Sequence, residues 1–595
     1  MPADALTSAV PASRTDVALR ELTVGEALRE AAADAPDHLA VIDPSSGRLT
    51  YGELLAESER VARALLERFS PGEHVAVCMP NVSEFLLLQF GAALAGMVLV
   101  PVPPALRGRD LAHVLGASHA AGVFFAPEFR GASLTELIDE LQPQLPELRE
   151  AASLDEWSAF LQAAPTDSKL PRVAPGDPSQ LQFTSGSTGA PRGAVLHHRG
   201  ILNTARFAAE DLELGGDDVL LACLPLCYIA GCTITVLAAL QARTTLVICD
   251  FGPGVVLSLI ESEHVTVTLL APAMMQMLLE HQDLSSRDLS SMRLVSVGGS
   301  AITPELARQA QAALGAKLTV MYGLTEACGT VTQTRIDDPE ADRTQTIGRP
   351  HPHVEIKIID PWRGDEMPCG AVGELLLRGY FVMSGYLGMP DATRAVIDPD
   401  GWLHTGDLAT RDERGYLRVT GRLTEIINRG GRKIAPGEIE ALLNSHPAVS
   451  LSAVIGVPDQ RLGEEIAAFV RLAPGATATE TELANLCGEQ LAPFKRPRHW
   501  TFLDELPFTR PAKSTSPHSA TSSTPATGKR RPSPTEPRHS LSQVAPPVPR
   551  PDPCRNQCRA RDRRSGAPRS SPPAGRAGAG GDRHRAPARS RTQGW

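Results

Sequence analysis

At 595 residues, 42% of them hydrophobic, the chain is too long for one ordinary core and is no small disulfide-stapled scaffold, so two or more domains are expected. Its formal charge of −10 joins two unlike parts: from Ser514 onward 16 Lys/Arg face 4 Asp/Glu, a balance of +12, which leaves −22 for residues 1–513. No apolar run reaches the ~20 residues of a membrane span, and residues 1–17 lack a basic start followed by an apolar run, so a cytoplasmic protein is expected.

Residues 1–20 are expected to be flexible, and residues 23–66 read as two helical stretches around a short strand at 39–42 and a segment at 49–51. The alternation then becomes regular. Strand 74–79, helix 84–95 with Phe85, Leu86, Phe90 and Leu94 at helical spacing, and the β-branched run 97–102 form a βαβ unit. The same grammar recurs downstream, where strands 218–222, 244–249, 265–270, 293–297 and 317–321 alternate with helices 231–241, 273–281 and 304–314. An α/β protein with mostly parallel sheets flanked by helices is predicted. The ten cysteines read as reduced thiols, many of them in apolar segments, and Cys223, Cys227 and Cys232 lack neighbouring His or acidic ligands, which argues against zinc.

Between these blocks the short strand 180–183 leads into Thr184-Ser185-Gly186-Ser187-Thr188-Gly189-Ala190-Pro191-Arg192-Gly193. Glycines let backbone N–H groups turn towards one point, hydroxyls add neutral donors and Arg192 adds charge, a composition suited to phosphate oxygens. It is not a Walker A loop, because Gly189 is followed by Ala190-Pro191-Arg192 rather than Lys-Ser/Thr. Alone, such a composition more often marks a mobile surface turn than a site. Two more loops rich in glycine and hydroxyls follow strands, Gly298-Gly299-Ser300-Ala301 and Tyr322-Gly323-Leu324-Thr325-Glu326, and in open α/β sheets ligands gather outside the carboxyl ends of strands. Past residue 374 short strands and turns take over, through Gly401–Asp407 and the hairpin closed by Gly421-Arg422. A smaller α+β part follows, with Gly430-Gly431, helix 436–443, strands 454–457 and 467–471, and a helix near 481–490.

Five separated stretches, Phe183 to Gly189, Tyr322 to Glu326, Gly401 to Asp407, Gly421-Arg422 and Leu506-Pro507-Phe508-Thr509, stand in the order found in the adenylate-forming superfamily of acyl-CoA synthetases, aryl-CoA ligases, peptide-synthetase adenylation domains and luciferases. The chain resembles that superfamily over residues 20–513. Singly, Asp407 reads as a turn residue, Tyr322 as a core aromatic and Glu326 as a surface carboxylate. The resemblance implies a large AMP-binding domain over 21–423, with a distorted β-barrel-like portion beside the parallel sheets, and a small mobile α+β domain over 424–513. It implies ATP, Mg²⁺ and CoA as cofactors and a small carboxylic acid as partner, with no nucleic acid expected.

By the same resemblance Thr184, Ser185, Gly186, Ser187, Thr188, Gly189 and Arg192 would hold the β- and γ-phosphates, Thr325 the α-phosphate and Glu326 the metal. Tyr322 with Gly323 would stack on adenine beside Gly299, Ser300 and Ala301, Asp407 would take the ribose hydroxyls, and Arg422 the ribose or phosphates. Gly430 and Gly431 would admit the pantetheine arm, with Lys433 nearby. Tyr228, Ile229, Val297, Gly298 and Ala327 would line an apolar acid site, and Lys513 would bridge carboxylate and α-phosphate. The chain departs from the usual pattern at Arg192 (lysine), Tyr228 (histidine), the hinge residue Thr424 (lysine or aspartate) and Ala512 (glycine). No aspartate lies between Leu226 and Cys232, which argues against an α-amino acid substrate.

From Ser514 onward Ser, Pro, Arg and Gly dominate and no core can form, so disorder is expected. Either this is a native basic tail or the reading frame has shifted. The shift is preferred, because residues 511–519 can be back-translated so that a start two bases later reads Gly-Lys-Val-Asp-Lys-Pro-Ala-Leu, the ending the resemblance leads one to expect. The leading functional reading is an acyl- or aryl-CoA synthetase. An adenylating enzyme serving a carrier protein, an amine or another nucleophile, and a nucleotide-binding pseudoenzyme, remain open.

Overall fold

A computed structural model describes residues 16–162, 168–184, 191–459, 461–504 and 506, with Lys433 described by its backbone alone. Ser185, Gly186, Ser187, Thr188, Gly189, Lys513 and the basic tail lie outside the described residues.

Helix starts follow from local chemistry. Thr23, Thr50 and Thr479 each accept the backbone N–H three residues on, while Glu26, Glu53 and Glu482 reach back to the capping residue, which fixes the start of Val24–Asp34, Tyr51–Leu66 and Glu480–Gln490. Residues 17–20, expected to be flexible, are instead fastened to the body: the Arg20 N–H donates to Asn203 Oδ1 at 2.8 Å, and Arg206 donates to the Ala18 carbonyl at 2.8 Å.

Two large sheets carry the parallel strands. In the first, Lys317–Leu324, Leu294–Val297, Val267–Leu270, Val219–Ala222, Thr245–Ile248 and Leu39–Asp43 lie side by side in that order, with antiparallel strands at both edges. In the second, Glu150–Ser153, Ala120–Phe125, His74–Cys78, Val98–Pro101 and Pro178–Thr184 are parallel neighbours, extended by antiparallel Arg192–His197 and Gly385–Tyr386. Val267–Leu270 and Leu294–Val297 are buried along their whole length, as strands covered by helices on both faces must be.

Two expectations change here. Lys317–Leu324 runs past Met321 because its last residues change partner and pair antiparallel with Gly329–Gln333. The helix expected over 231–241 opens with a π-type turn, Ala230–Thr235, before Val236–Ala242, and the Thr235 hydroxyl donates to the Ala230 carbonyl five residues back at 2.8 Å.

The portion expected to be barrel-like is a four-stranded antiparallel sheet of Glu355–Ile359, Gly373–Arg378, Leu403–Arg411 and Leu417–Arg422. Beyond it, Arg432–Ile434, Ile427–Arg429, Gly463–Leu472, Val449–Asp459 and His499–Phe502 form a separate sheet. That sheet packs with helices Pro436–Asn444 and Glu480–Gln490 around a core of its own, including Ile439, Val454, Ile466 and Leu483.

Candidate active site

Where Lys317–Leu324 ends, the chain turns through Thr325–Ala327 and returns as Gly329–Gln333, with the Cys328 N–H donating to the Thr325 carbonyl at 3.1 Å. The hairpin is so close that a Cβ on Gly323 would sit 1.8 Å from the Gly329 carbonyl oxygen, so that glycine is required by the backbone before any nucleotide is considered.

Glu326, half-buried on this turn, forms one corner of the site. Its Oε1 accepts the Tyr386 hydroxyl at 2.8 Å and lies 3.5 Å from the Thr184 hydroxyl. Thr184 and Arg192 are register partners in adjacent antiparallel strands, so Arg192 stands opposite the residue that approaches Glu326. The Arg192 guanidinium lies 5.6 Å from the centre of the Tyr386 ring. Burial, then the Glu326 charge, pushes the Tyr386 phenol far above its ordinary range, so it is a donor at any physiological pH.

Asp407, 4% exposed, forms the second corner. Tyr322 donates its hydroxyl to Oδ2 at 2.7 Å, and Arg422 Nε pairs with Oδ1 at 2.8 Å from the neighbouring strand, where the two residues are in register. The Asp407 N–H donates to the Thr405 hydroxyl at 3.0 Å. Burial and the Asp407 charge push the Tyr322 phenol far up, which leaves the ring as the part of Tyr322 that can meet a base. Alongside, Glu374 holds His404 at 3.1 Å and raises its pKa.

The remaining expected residues divide. Gly299 has φ +83, a left-handed position that favours glycine, and stands with Ser300 and Ala301 in the partly exposed bend after Leu294–Val297. Tyr228, Ile229 and Gly298 are half-buried. Val297 and Ala327, also expected to line the acid site, show 0% exposure within the cores. Gly430 and Gly431, with φ +59 and +80, are the two-residue loop joining Ile427–Arg429 to Arg432–Ile434, a turn that calls for two left-handed residues without help from any ligand. Tyr386 was missed by sequence reasoning, since it is 60 residues from Glu326 and sits on a two-residue edge strand with no motif to mark it.

A family model for AMP-binding enzymes matches residues 28–387, and one for the AMP-binding enzyme C-terminal domain matches residues 438–513. The chain belongs to the AMP-binding enzyme family. It is 35% identical over 506 residues to a CoA ligase of Rhodococcus jostii strain RHA1 named for a methyl-dioxo-octahydroindenyl propanoyl group, covering 82% of this chain and 96% of that one. It is 32% identical over 532 residues to the medium-chain acyl-CoA ligase ACSF2 of Rattus norvegicus, covering 83% and 86%. ATP-bound MatB from Rhodopseudomonas palustris shares the fold with TM-score 0.75 at 28% identity, over 82% of this chain and 96% of that one.

In this AMP-binding enzyme Tyr322, bonded to Asp407, and Glu326, bonded to Tyr386, stand four residues apart on one strand and its turn. Among the described residues no helix is long and apolar enough to cross a membrane, and no group of three or more His, Cys, Asp or Glu could hold a metal by itself.

Proposed function

We propose that this AMP-binding enzyme is an ATP-dependent acyl- or aryl-CoA synthetase that activates an apolar carboxylic acid as its acyl-adenylate and transfers the acyl group to CoA. The observation that carries the reading is the joining of two acidic corners by one strand and its turn, in a chain whose family matches cover residues 28–387 and 438–513. Asp407 and Arg422 bind the ribose, Tyr322 with Gly323 and the bend at Gly299 the base, and Thr184, residues 185–189 and Arg192 the leaving phosphates. Thr325 donates to the α-phosphate and Lys513 bridges it to the acid, which Tyr228, Ile229 and Gly298 receive.

A single carboxylate such as Glu326 suits Mg²⁺, an ion that is commonly held by one or two carboxylates together with substrate phosphates. When bound it screens the charge that develops on the departing pyrophosphate. We further read the chain as cytoplasmic, divided at 423/424 into a large and a small domain, with residues from 514 out of frame; resequencing the gene across Arg510 tests the frame.

The functional test is incubation with ATP, Mg²⁺ and a panel of fatty and aromatic acids, with and without CoA. Acid-dependent pyrophosphate release together with a CoA thioester is expected. Pyrophosphate without thioester moves the acceptor to a carrier protein or an amine, and nucleotide binding without turnover makes the chain a pseudoenzyme.

A further inference from the structure

Residues 383–387 grip two parts of the site that are remote in sequence. The Ser384 N–H donates to the Val195 carbonyl and the Leu387 N–H to the Gly193 carbonyl, both at 2.9 Å, so this stretch lies along the strand that follows the phosphate loop. The Met383 N–H donates to the Glu326 carbonyl at 2.9 Å, and the Tyr386 hydroxyl donates to Glu326 Oε1 at 2.8 Å. The same short stretch therefore holds Glu326 by its backbone and by its carboxylate.

The hold is selective. Tyr386 and Thr184, the groups hydrogen-bonded to this carboxylate among the described residues, both approach Oε1, so Oε2 is the oxygen presented to a further ligand. An unrestrained glutamate samples many rotamers, and ordering it during binding costs free energy. Tyr386 removes part of that cost beforehand: it is 8% exposed, and its ring is fixed between the edge-strand backbone and Arg192.

We propose that Tyr386 is a positioning residue whose hydroxyl holds the Glu326 carboxylate in the orientation that offers Oε2 to the divalent cation carried by ATP. The inference rests on the adenylating reading of the same site. Its magnitude follows from the loss of one hydrogen bond to a charged group, on the order of tenfold in affinity and rate.

The test uses the full chain as wild type, Y386F, E326Q and the double variant. Calorimetric titration with ATP, in Mg²⁺ and in excess chelator, is read beside pyrophosphate release and thermal unfolding. The expected result is that Y386F unfolds like wild type, binds ATP on the order of tenfold more weakly in Mg²⁺ and equally well without it, and slows pyrophosphate release in proportion. The double variant is expected to be no worse than E326Q alone, because Tyr386 acts through Glu326. Wild-type behaviour of Y386F in Mg²⁺, an equal loss in chelator, or losses that multiply in the double variant each overturn the proposal. Should Y386F unfold early, the titrations are repeated at a lower temperature at which it stays folded, and a loss of ATP affinity that is independent of Mg²⁺ there also overturns the proposal. If wild type releases no pyrophosphate with any acid, the adenylating reading fails, while the titrations still decide for or against Tyr386.

Discussion

Asp407 and Glu326 are both carboxylates of the proposed nucleotide site, but Asp407 has each oxygen engaged by a side chain, Tyr322 at 2.7 Å and Arg422 at 2.8 Å, whereas the side-chain hydrogen bonds of Glu326 among the described residues are both on Oε1. Each carboxylate oxygen carries about two acceptor directions, so Asp407 can still share with neutral hydroxyls, but its charge is already answered by Arg422. Glu326 has no cation paired with it among the described ion pairs. The contrast suits the roles proposed above, Asp407 for hydroxyl recognition and Glu326 for charge management.

The sharpest way to break that contrast is E326Q, which keeps the shape and the Tyr386 contact while removing the charge. Adenylation, followed by pyrophosphate release, should fall by roughly 10² to 10³-fold, the usual loss for one preorganised electrostatic group. A loss under about fivefold would mean that Glu326 manages no charge in the reaction.

A carboxylate elsewhere in the chain shows what desolvation does. Glu440, in helix Pro436–Asn444, is half-buried, its carboxylate accepts the Val454 N–H at 2.8 Å, and Glu425 is a like-charged neighbour. Burial raises its pKa from 4.5 to about 7. Its folded-state pKa is raised, so the stability it contributes is fully present below about pH 4.5 and is lost as pH rises through 7. E440Q should therefore be more stable than wild type by about 3 kcal/mol at pH 8, with the gap closing towards pH 5. Denaturant unfolding at the two pH values checks this; a gap that does not change with pH would show that Glu440 is ionised throughout.

Much of the scaffold behind this contrast could be read before the structure. Helix Pro304–Leu314 fell on its predicted limits, and strands Val267–Leu270 and Leu294–Val297 lay within two residues of theirs, because continuous apolar runs bounded by glycine, proline and polar caps have few other uses. The π-type turn at Ala230–Thr235 could not be read, since a hydroxyl bonding five residues back leaves no periodic signal. Strand Glu355–Ile359 was also missed: one of its residues is buried, so its pattern is weak. The site residues emerged from motif order. Their mutual bonding did not, because Tyr322 and Asp407 are 85 residues apart and Tyr386 and Glu326 are 60 apart, separations over which local spacing carries no information.

D407N probes the saturated carboxylate. The amide keeps one acceptor but cannot answer Arg422, and it offers the ribose a weaker partner. The KM for ATP should rise roughly tenfold to a hundredfold, with a smaller change in kcat, because the contact is made equally in ground and transition states. An equal fall in kcat would move Asp407 into the chemical step and erase the difference from Glu326.

The smallest effect is the most informative about sharing. In Y322F the ring remains for the base and only the donor to Asp407 Oδ2 disappears. If a ribose hydroxyl can supply that donor, the bond lost from the free protein is replaced in the complex, and the KM for ATP should change by less than about threefold, since the exchange is one neutral donor for another. The free protein, left with a buried acceptor short of one partner, should lose about 1 kcal/mol of stability, recovered when ATP binds. Unfolding followed with and without nucleotide checks both halves. A KM penalty as large as that of D407N would show that Tyr322 must stay bonded to Asp407 while the ribose is held, so that Asp407 serves both partners at once instead of exchanging one for the other.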